Sequence, residues 1–202
     1  MISKPKYRIG RRLGAAVYEK TQTQKFAVSE GKKGRKKGMS RPKALSDYGQ
    51  QLLEKQKIRY SYGITAGQLT KYVNEATERK GANTPALLYE KLESRLDNVV
   101  YRLGIAHTRA KARQLCSHGH ILVNGTRTMV PSYQSRPGDI ITIRVGSQAS
   151  PLFQNMAERT KDTIIPKWLS MNAGTMTGTV VAKPTLTETP FNIETVLEFY
   201  SR

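Results

Sequence analysis

A single cysteine stands among 202 residues, so the chain can build neither a disulfide framework nor a zinc site of several thiolates. That scarcity points to a reducing compartment. No apolar run approaches the about 18 residues that a membrane-crossing helix needs. Met1-Ile2-Ser3-Lys4-Pro5-Lys6 opens polar and basic with no apolar stretch behind it, so neither a membrane span nor a secretory leader is expected, and the expected address is intracellular. Acidic residues are also few: 15 Asp and Glu stand against 34 Lys and Arg, for a net charge of +19. Such an imbalance calls for a polyanionic partner. Hydrophobic content of 38% is low for an enzyme of this size and predicts an unstructured stretch. The length allows one large domain or two small ones, each with a core.

The positive charge is graded along the chain. Most of it lies in residues 1–45, a smaller excess in 46–150, and residues 151–202 are balanced. Gly31-Lys32-Lys33-Gly34-Arg35-Lys36-Lys37-Gly38 interleaves cations with glycine and offers no apolar residue to fold around, so it is expected to stay extended until a nucleic acid orders it. A solubility tail or localisation signal is the bland alternative. Arg8, Arg11, Arg12, Arg41 and Lys43 weigh against it, because a tail needs no such persistence over forty residues.

From Ser46 the pattern becomes helical. Ser46-Asp47 can cap a first helix with Tyr48, Leu52 and Leu53 as its apolar stripe and Gly63 as its stop. Thr65 with Gln68 opens a second, in which Leu69, Tyr72, Val73 and Ala76 share a face up to Gly81. A third begins at Thr84 with Pro85 at its first position, then runs through Leu88, Leu92, Leu96, Val99 and Leu103 to Gly104, with a break near Glu93 suggested by a capping pair of Ser94 and Asp97. Thr108 caps a short helix with Ala112, Leu115 and Cys116 inward and Arg109 and Arg113 together on another face, ending at Gly119. His120 to Val123, the turn Asn124-Gly125 and Thr126 to Val130 read as a hairpin, followed by the turn Pro137-Gly138-Asp139 and a strand from Ile140 to Val145. Leu152, Phe153, Met156 and Ala157 suggest a short helix. Trp168-Leu169 reads as an anchor between lobes, Gly174 and Gly178 bracket a turn before Thr179-Val180-Val181, and Asn192 caps a last helix with Ile193, Val196, Leu197 and Tyr200 on one stripe. Tyr48, Tyr60, Tyr62 and Tyr72 are expected in the core rather than stacked on bases.

The set Arg95-Leu96-Asp97, Gly104, Arg109, Ala112, Leu115, Gly119, Ile121, Val123-Asn124-Gly125 and Pro137-Gly138-Asp139 resembles the small RNA-binding fold named after ribosomal protein four of the small subunit. That fold also occurs in pseudouridine synthases, a tyrosyl-tRNA synthetase tail and a heat-shock RNA binder. The rest of the chain narrows the resemblance. Leu45-Ser46-Asp47-Tyr48-Gly49, Glu54-Lys55-Gln56-Lys57-Ile58-Arg59, Tyr62-Gly63 and Val196-Leu197-Glu198-Phe199-Tyr200-Ser201-Arg202 resemble the bacterial-type ribosomal protein four family over nearly the whole length.

The resemblance implies an α+β chain: a mainly helical first lobe completed by both chain ends, plus a small helix pair with a twisted antiparallel sheet. The expected divisions are a basic segment at 1–45, a helical lobe at 46–93, a small RNA-binding domain at 94–150 and a segment at 151–202 packing back on the helical lobe. It further implies a structural ribosomal constituent, cytoplasmic, that binds the five-prime domain of small-subunit rRNA early in assembly. Ribosomal proteins three and five would be its neighbours, and mRNA would pass near Arg35, Arg41 and Lys43 at the entry channel, although Lys43-Ala44 departs from the commoner family spacing. Physically, a two-lobed basic protein suits a junction of RNA helices, where fixed cations replace condensed counterions.

The residues expected on the RNA face are Arg8, Arg11, Arg12, Lys32, Lys33, Arg35, Lys36, Lys37, Arg41 and Lys43, then Lys55, Lys57 and Arg59, then Arg95, Arg109, Lys111, Arg113, His118, His120 and Asn124. Any one of them can instead be a solvated surface charge, and Arg95 with Asp97 can instead form a cap and a local ion pair. No metal or cofactor is expected: some family members carry an N-terminal cysteine cluster for zinc, and this chain has none, while Cys116-Ser117-His118-Gly119-His120 lacks the further ligands a tetrahedral site needs. No nucleophile elbow, zinc-protease motif or NTPase phosphate loop is present. An RNA-modifying enzyme has no room for a catalytic domain, and a regulatory RNA binder would need neither the first lobe nor the tail.

Overall fold

The computed structural model describes residues 6–14, 17–33, 45–79, 83–153, 163–172, 174–186, 189 and 191–201. The chain forms two compact units, Met1–Asn74 with Glu188–Arg202, and Glu75–Thr187.

The first unit is helical. It holds α1 (Lys6–Leu13), a single 3-10 turn (Glu19–Thr21), α2 (Gln24–Lys33), α3 (Asp47–Ser61) and the larger part of α4 (Ala66–Thr77), which continues into the second unit. Ser46 caps α3 by accepting a hydrogen bond from the Gly49 amide at 3.3 Å, and Thr65 does the same for α4 through the Gln68 amide at 3.2 Å. Between them Gly63 turns the chain at φ +61°, a conformation in which a side chain would be strained. Leu13, Val17, Phe26, Ile58, Leu69, Tyr72, Val73 and Val196 are buried here. Gly10 is required at its place, because a Cβ there would overlap buried Thr21.

The chain end closes this unit, as expected. Asn192 caps the last helix, α9 (Ile193–Tyr200) among the described residues, by accepting from the Thr195 amide at 3.1 Å, and that helix runs along α3. Gln51 Nε2 donates to Glu198 Oε2 at 3.3 Å, the Asn192 amide donates to Glu54 Oε2 at 3.1 Å, and the Tyr48 and Phe199 rings lie 5.7 Å apart. The buried face of α3 differs from the expected stripe. Gln51, Ile58 and Ser61 turn inward, Leu52 and Leu53 are only partly covered, and Tyr48 is 54% exposed. Docking of the last helix explains the shift, since its polar groups pair with α3 where the sequence alone suggested an apolar seam.

The second unit begins with the end of α4 and continues through α5 (Thr84–Glu93), α6 (Leu96–Arg102) and α7 (Arg109–Ser117). Asn83, rather than Thr84, caps α5 through the Ala86 amide, so Thr84 is its first helical residue and Pro85 stands in the first turn. The break after Glu93 is present, but its cap differs from the expected Ser94–Asp97 pair: Arg95 occupies the cap position of α6 without a side-chain cap bond. Among the described residues five strands follow: β1 (Ile121–Val123), β2 (Thr126–Arg127), β3 (Ile140–Ile143), β4 (Leu169–Asn172) and β5 (Thr177–Val180), with α8 (Val145–Gln148) between β3 and β4.

All pairings are antiparallel in the order β2-β1-β3-β5-β4, with Ile121 opposite Ile143, Ile141 opposite Gly178 and Leu169 opposite Val180. One sheet face therefore carries Ile121, Val123, Ile141, Ile143 and Val180 into a core shared with Leu96, Val99, Leu103, Ala112, Leu115 and Cys116. Gly178 lets β5 approach Leu103, which any Cβ would overlap. Asn124 and Gly125 both adopt positive φ, at 51° and 78°, as the two-residue hairpin turn demands.

Thus the α+β architecture is present, with two differences. Residues 151–202, expected as one segment on the helical lobe, contribute β4 and β5 to the sheet of the second unit, while Glu188–Arg202, with the last helix, belongs to the first. Trp168-Leu169 is accordingly part of the sheet domain's core. The hairpin's return strand also stops at Arg127, two residues after the turn, because the chain bends toward Pro131 to pair Leu96 and Asp97 amides with the Tyr133 and Pro131 carbonyls. Met156, Ala157 and the Gly81 stop lie outside the described residues.

Candidate nucleic-acid interface

In the first unit, the amphipathic α1 buries Gly10 and Leu13 and leaves Arg8, Arg11 and Arg12 exposed. The α3 cations are more engaged. Lys57 is ion-paired with Glu54 at 2.6 Å, and Lys55 Nζ sits 4.0 Å from the centroid of the Phe199 ring and 5.5 Å from that of Tyr200. Partial burial lowers the Lys55 pKa, and nearby Arg59 lowers it further. Arg59 stacks over Tyr60 at 4.9 Å, and the Tyr18 hydroxyl is pushed up to about 12 by burial first and by Tyr60 second, with Arg59 acting in the opposite direction. Lys32 and Lys33 end α2, but their side chains, together with Arg35, Lys36, Lys37, Arg41 and Lys43, lie outside the described residues.

In the second unit two buried carboxylates organise the arginines. Glu93, 0% exposed, accepts Arg102 Nε and Nη2 at 2.9 Å each and also Asn98 Nδ2 at 2.9 Å. Arg109 donates through Nε to Asn98 Oδ1 at 2.8 Å, lies 4.0 Å from Glu93 and covers the Tyr101 ring at 4.5 Å. Asp97 accepts Arg95 on both oxygens and Arg113 on Oδ2 at 2.6 and 2.8 Å. The guanidiniums of Arg109 and Arg113 are thus locked in orientation while keeping part of their surface in solvent.

Two residues expected on the RNA face are held by local partners. Arg95 is 4% exposed with its guanidinium closed on Asp97, so the local ion pair weighed in the sequence is present. Asn124 spends its amide inside the turn, donating to Asp139 Oδ1 and accepting from the Ile140 amide, and so ties the hairpin to the Pro137-Gly138-Asp139 turn.

The opposite side of α7 carries a different surface. Lys111 and His118 lie seven residues apart and so near one helix face. Arg127 Nη2 donates to the His118 carbonyl at 3.1 Å, the His118 and His120 rings are 6.1 Å apart, and the Arg144 amide bonds the His120 carbonyl at 2.9 Å. Gly119, at φ +71°, permits this convergence, because a Cβ would collide with the Arg127 guanidinium. Arg127 and Arg144 were missed in the sequence; the turn at Asn124-Gly125 was the signal, since it folds Arg127 back beside Gly119. Among the described residues no ion pair involves Lys111, Arg127 or Arg144, and no group of three His, Cys, Asp or Glu could hold a metal.

Exposed cations on a helical unit and on a helix-and-sheet unit agree with the matches to known proteins. The family model for the ribosomal protein S4/S9 N-terminal domain matches residues 2–93, and that for the S4 domain matches residues 94–141. The chain belongs to the ribosomal protein S4 family. It is 42% identical to the small ribosomal subunit protein uS4 of Akkermansia muciniphila, 45% to that of Persephonella marina and 41% to that of Aquifex aeolicus, in each case over 98% of this chain and 97% of the relative. The S4 family consists of structural ribosomal components, so the chain is not an enzyme. No helix among the described residues is long and apolar enough to cross a membrane.

Proposed function

We propose that the chain is a structural constituent of the small ribosomal subunit in the cytoplasm, and a primary binder of the five-prime domain of small-subunit rRNA that nucleates assembly there. The observation that carries this reading is the division of the cations. One set, Arg8, Arg11 and Arg12 on α1, Lys111 in the first turn of α7, and His118 and His120 just past its end, is exposed or partly exposed and open to phosphate. A second, Arg109 and Arg113, is oriented from below by Glu93, Asn98 and Asp97. Charge alone gives affinity for any polyanion, whereas guanidiniums held in a fixed orientation, as in the second unit, favour an RNA of matching shape.

Lys55, Lys57 and Arg59 add cations from α3 of the first unit, with Lys32, Lys33, Arg35, Lys36, Lys37, Arg41 and Lys43 gripping RNA from the N-terminal segment. In the assembled subunit that segment lies near the mRNA entry channel, and ribosomal proteins three and five are the neighbours through which the chain supports decoding accuracy. Hydroxyl-radical cleavage of small-subunit rRNA with and without the chain tests the rRNA assignment. Protections gathered at one helix junction of the five-prime domain are expected; protections elsewhere, or none, would overturn it.

A further inference from the structure

The surface at the end of α7 has a chemistry that simple charge neutralisation does not exhaust. His120 is half-buried, with Nδ1 on Ser147 Oγ at 2.9 Å and one ring edge on Phe153, which is fully buried. Among the described residues its Nε2 has no hydrogen-bond partner. The charged and titratable groups facing it are His118 from its own segment, Lys111 from α7, Arg127 from β2 and Arg144 from the end of β3. None of them is an acid, while α8 presents only Ser147.

We propose that Lys111, His118, His120, Arg127 and Arg144 form a seat for a backbone phosphate of RNA, and that His120 takes up a proton as the phosphate enters. This rests on the RNA-binding reading above and adds to it a proton-linked contact and two further contact residues, Arg127 and Arg144.

The physical steps follow from the neighbours. In the free protein, burial and then repulsion from His118, Arg144, Lys111 and Arg127 hold the His120 pKa below the usual imidazole value, so at neutral pH the ring is uncharged. A phosphate neutralises that repulsion and adds an anion that favours the imidazolium, so the bound state holds the proton at higher pH than the free state. The linkage has a definite sign: because the complex binds more protons, affinity rises as pH falls through the His120 titration. The atoms balance simply, since the proton comes from solvent and leaves both ring nitrogens as donors, Nδ1 to Ser147 Oγ and Nε2 toward the phosphate. Acid also destabilises the free protein here, because the unfolded chain accepts the histidine proton more readily. RNA removes that penalty.

The test measures binding of the full chain to the five-prime domain of small-subunit rRNA, and to an unrelated structured RNA, between pH 7.6 and 5.6 at constant ionic strength. Wild type, His120→Gln and the double substitution Arg127→Gln with Arg144→Gln are compared. The His120 ring is followed by NMR with and without RNA, which needs no substitution and so stands if a variant misfolds. Acidification is expected to strengthen wild-type binding about 3- to 10-fold more than that of His120→Gln, within the at most tenfold per pH unit that one proton allows. The NMR midpoint should rise in the complex. The double arginine substitution should weaken binding, lower the salt slope by about 2 and raise the free-state midpoint. Identical pH dependence in wild type and His120→Gln, with an unmoved midpoint, would overturn the proposal. If both RNAs bind alike yet show the histidine effect, the phosphate seat is supported and the ribosomal reading fails instead.

Discussion

The guanidinium of Arg95 closes on the carboxylate of Asp97, Nε to Oδ1 at 3.0 Å and Nη2 to Oδ2 at 2.7 Å, with both residues almost wholly removed from solvent. A pair so buried contributes little when intact, because desolvation offsets attraction, but leaves a costly charge when broken. Asp97→Ala is therefore expected to cost about 3–5 kcal/mol, since it strands Arg95 and releases Arg113 as well. Urea unfolding measures this. The loss should persist at high salt, as a buried pair is poorly screened; a loss below about 1 kcal/mol would mean that water reaches the pair.

The arginines should divide by role. Replacing exposed Arg8 and Arg12 by Ala is expected to change stability by no more than about 0.5 kcal/mol while lowering the salt slope of RNA binding by about 2. Arg113→Ala should instead lower both, because its Nε and Nη2 hold Asp97. Denaturation curves and binding isotherms on the same preparations separate the cases. Equal stability losses for both sets would contradict the division.

What the sequence made legible follows from how local each signal is. Caps at Ser46, Thr65, Thr108 and Asn192 are spelled within four residues, and all four are in place. So is the Asn124-Gly125 turn, whose positive φ values only a few residue types tolerate. Strands β4 and β5 were not legible, because Leu169–Asn172 and Thr177–Val180 are short, β4 pairs only with β5, and the other partner of β5, β3, lies more than thirty residues upstream. The functional surface was half legible. Its cations could be counted, but their pairing with Glu93 depends on the break between α5 and α6, which brings residues nine apart into contact, and their pairing with Asp97 on the packing of α7 against α6, which joins residues sixteen apart.

Cys116 supplies a probe of the second unit's core. Burial, then the Asp97 charge, pushes its thiol up to about 12 against the pull of Arg113. The thiolate is the reactive form, so iodoacetamide at pH 8 is expected to leave the native protein unmodified and label it on unfolding. The native state keeps this proton longer than the unfolded chain, so stability should fall as pH rises from about 8.5 upward. Rapid alkylation without unfolding would contradict the packing of α7.

The mRNA part of the account has its own test. With Arg41 and Lys43 changed to Ala, ribosomes toeprinted on a structured mRNA should stall more strongly ahead of the hairpin, as the grip on incoming RNA is weakened. Unchanged stalling would remove the entry-channel role and leave the rRNA assignment standing.

The most direct measurement is binding to the five-prime domain of small-subunit rRNA and to an unrelated structured RNA of equal length, each across a salt series. A net charge of +19 guarantees a steep salt slope with both. The account predicts that the five-prime domain binds far more tightly at every salt concentration, because shape selection by fixed arginines adds to counterion release. Equal affinity for the two RNAs throughout the series would contradict it.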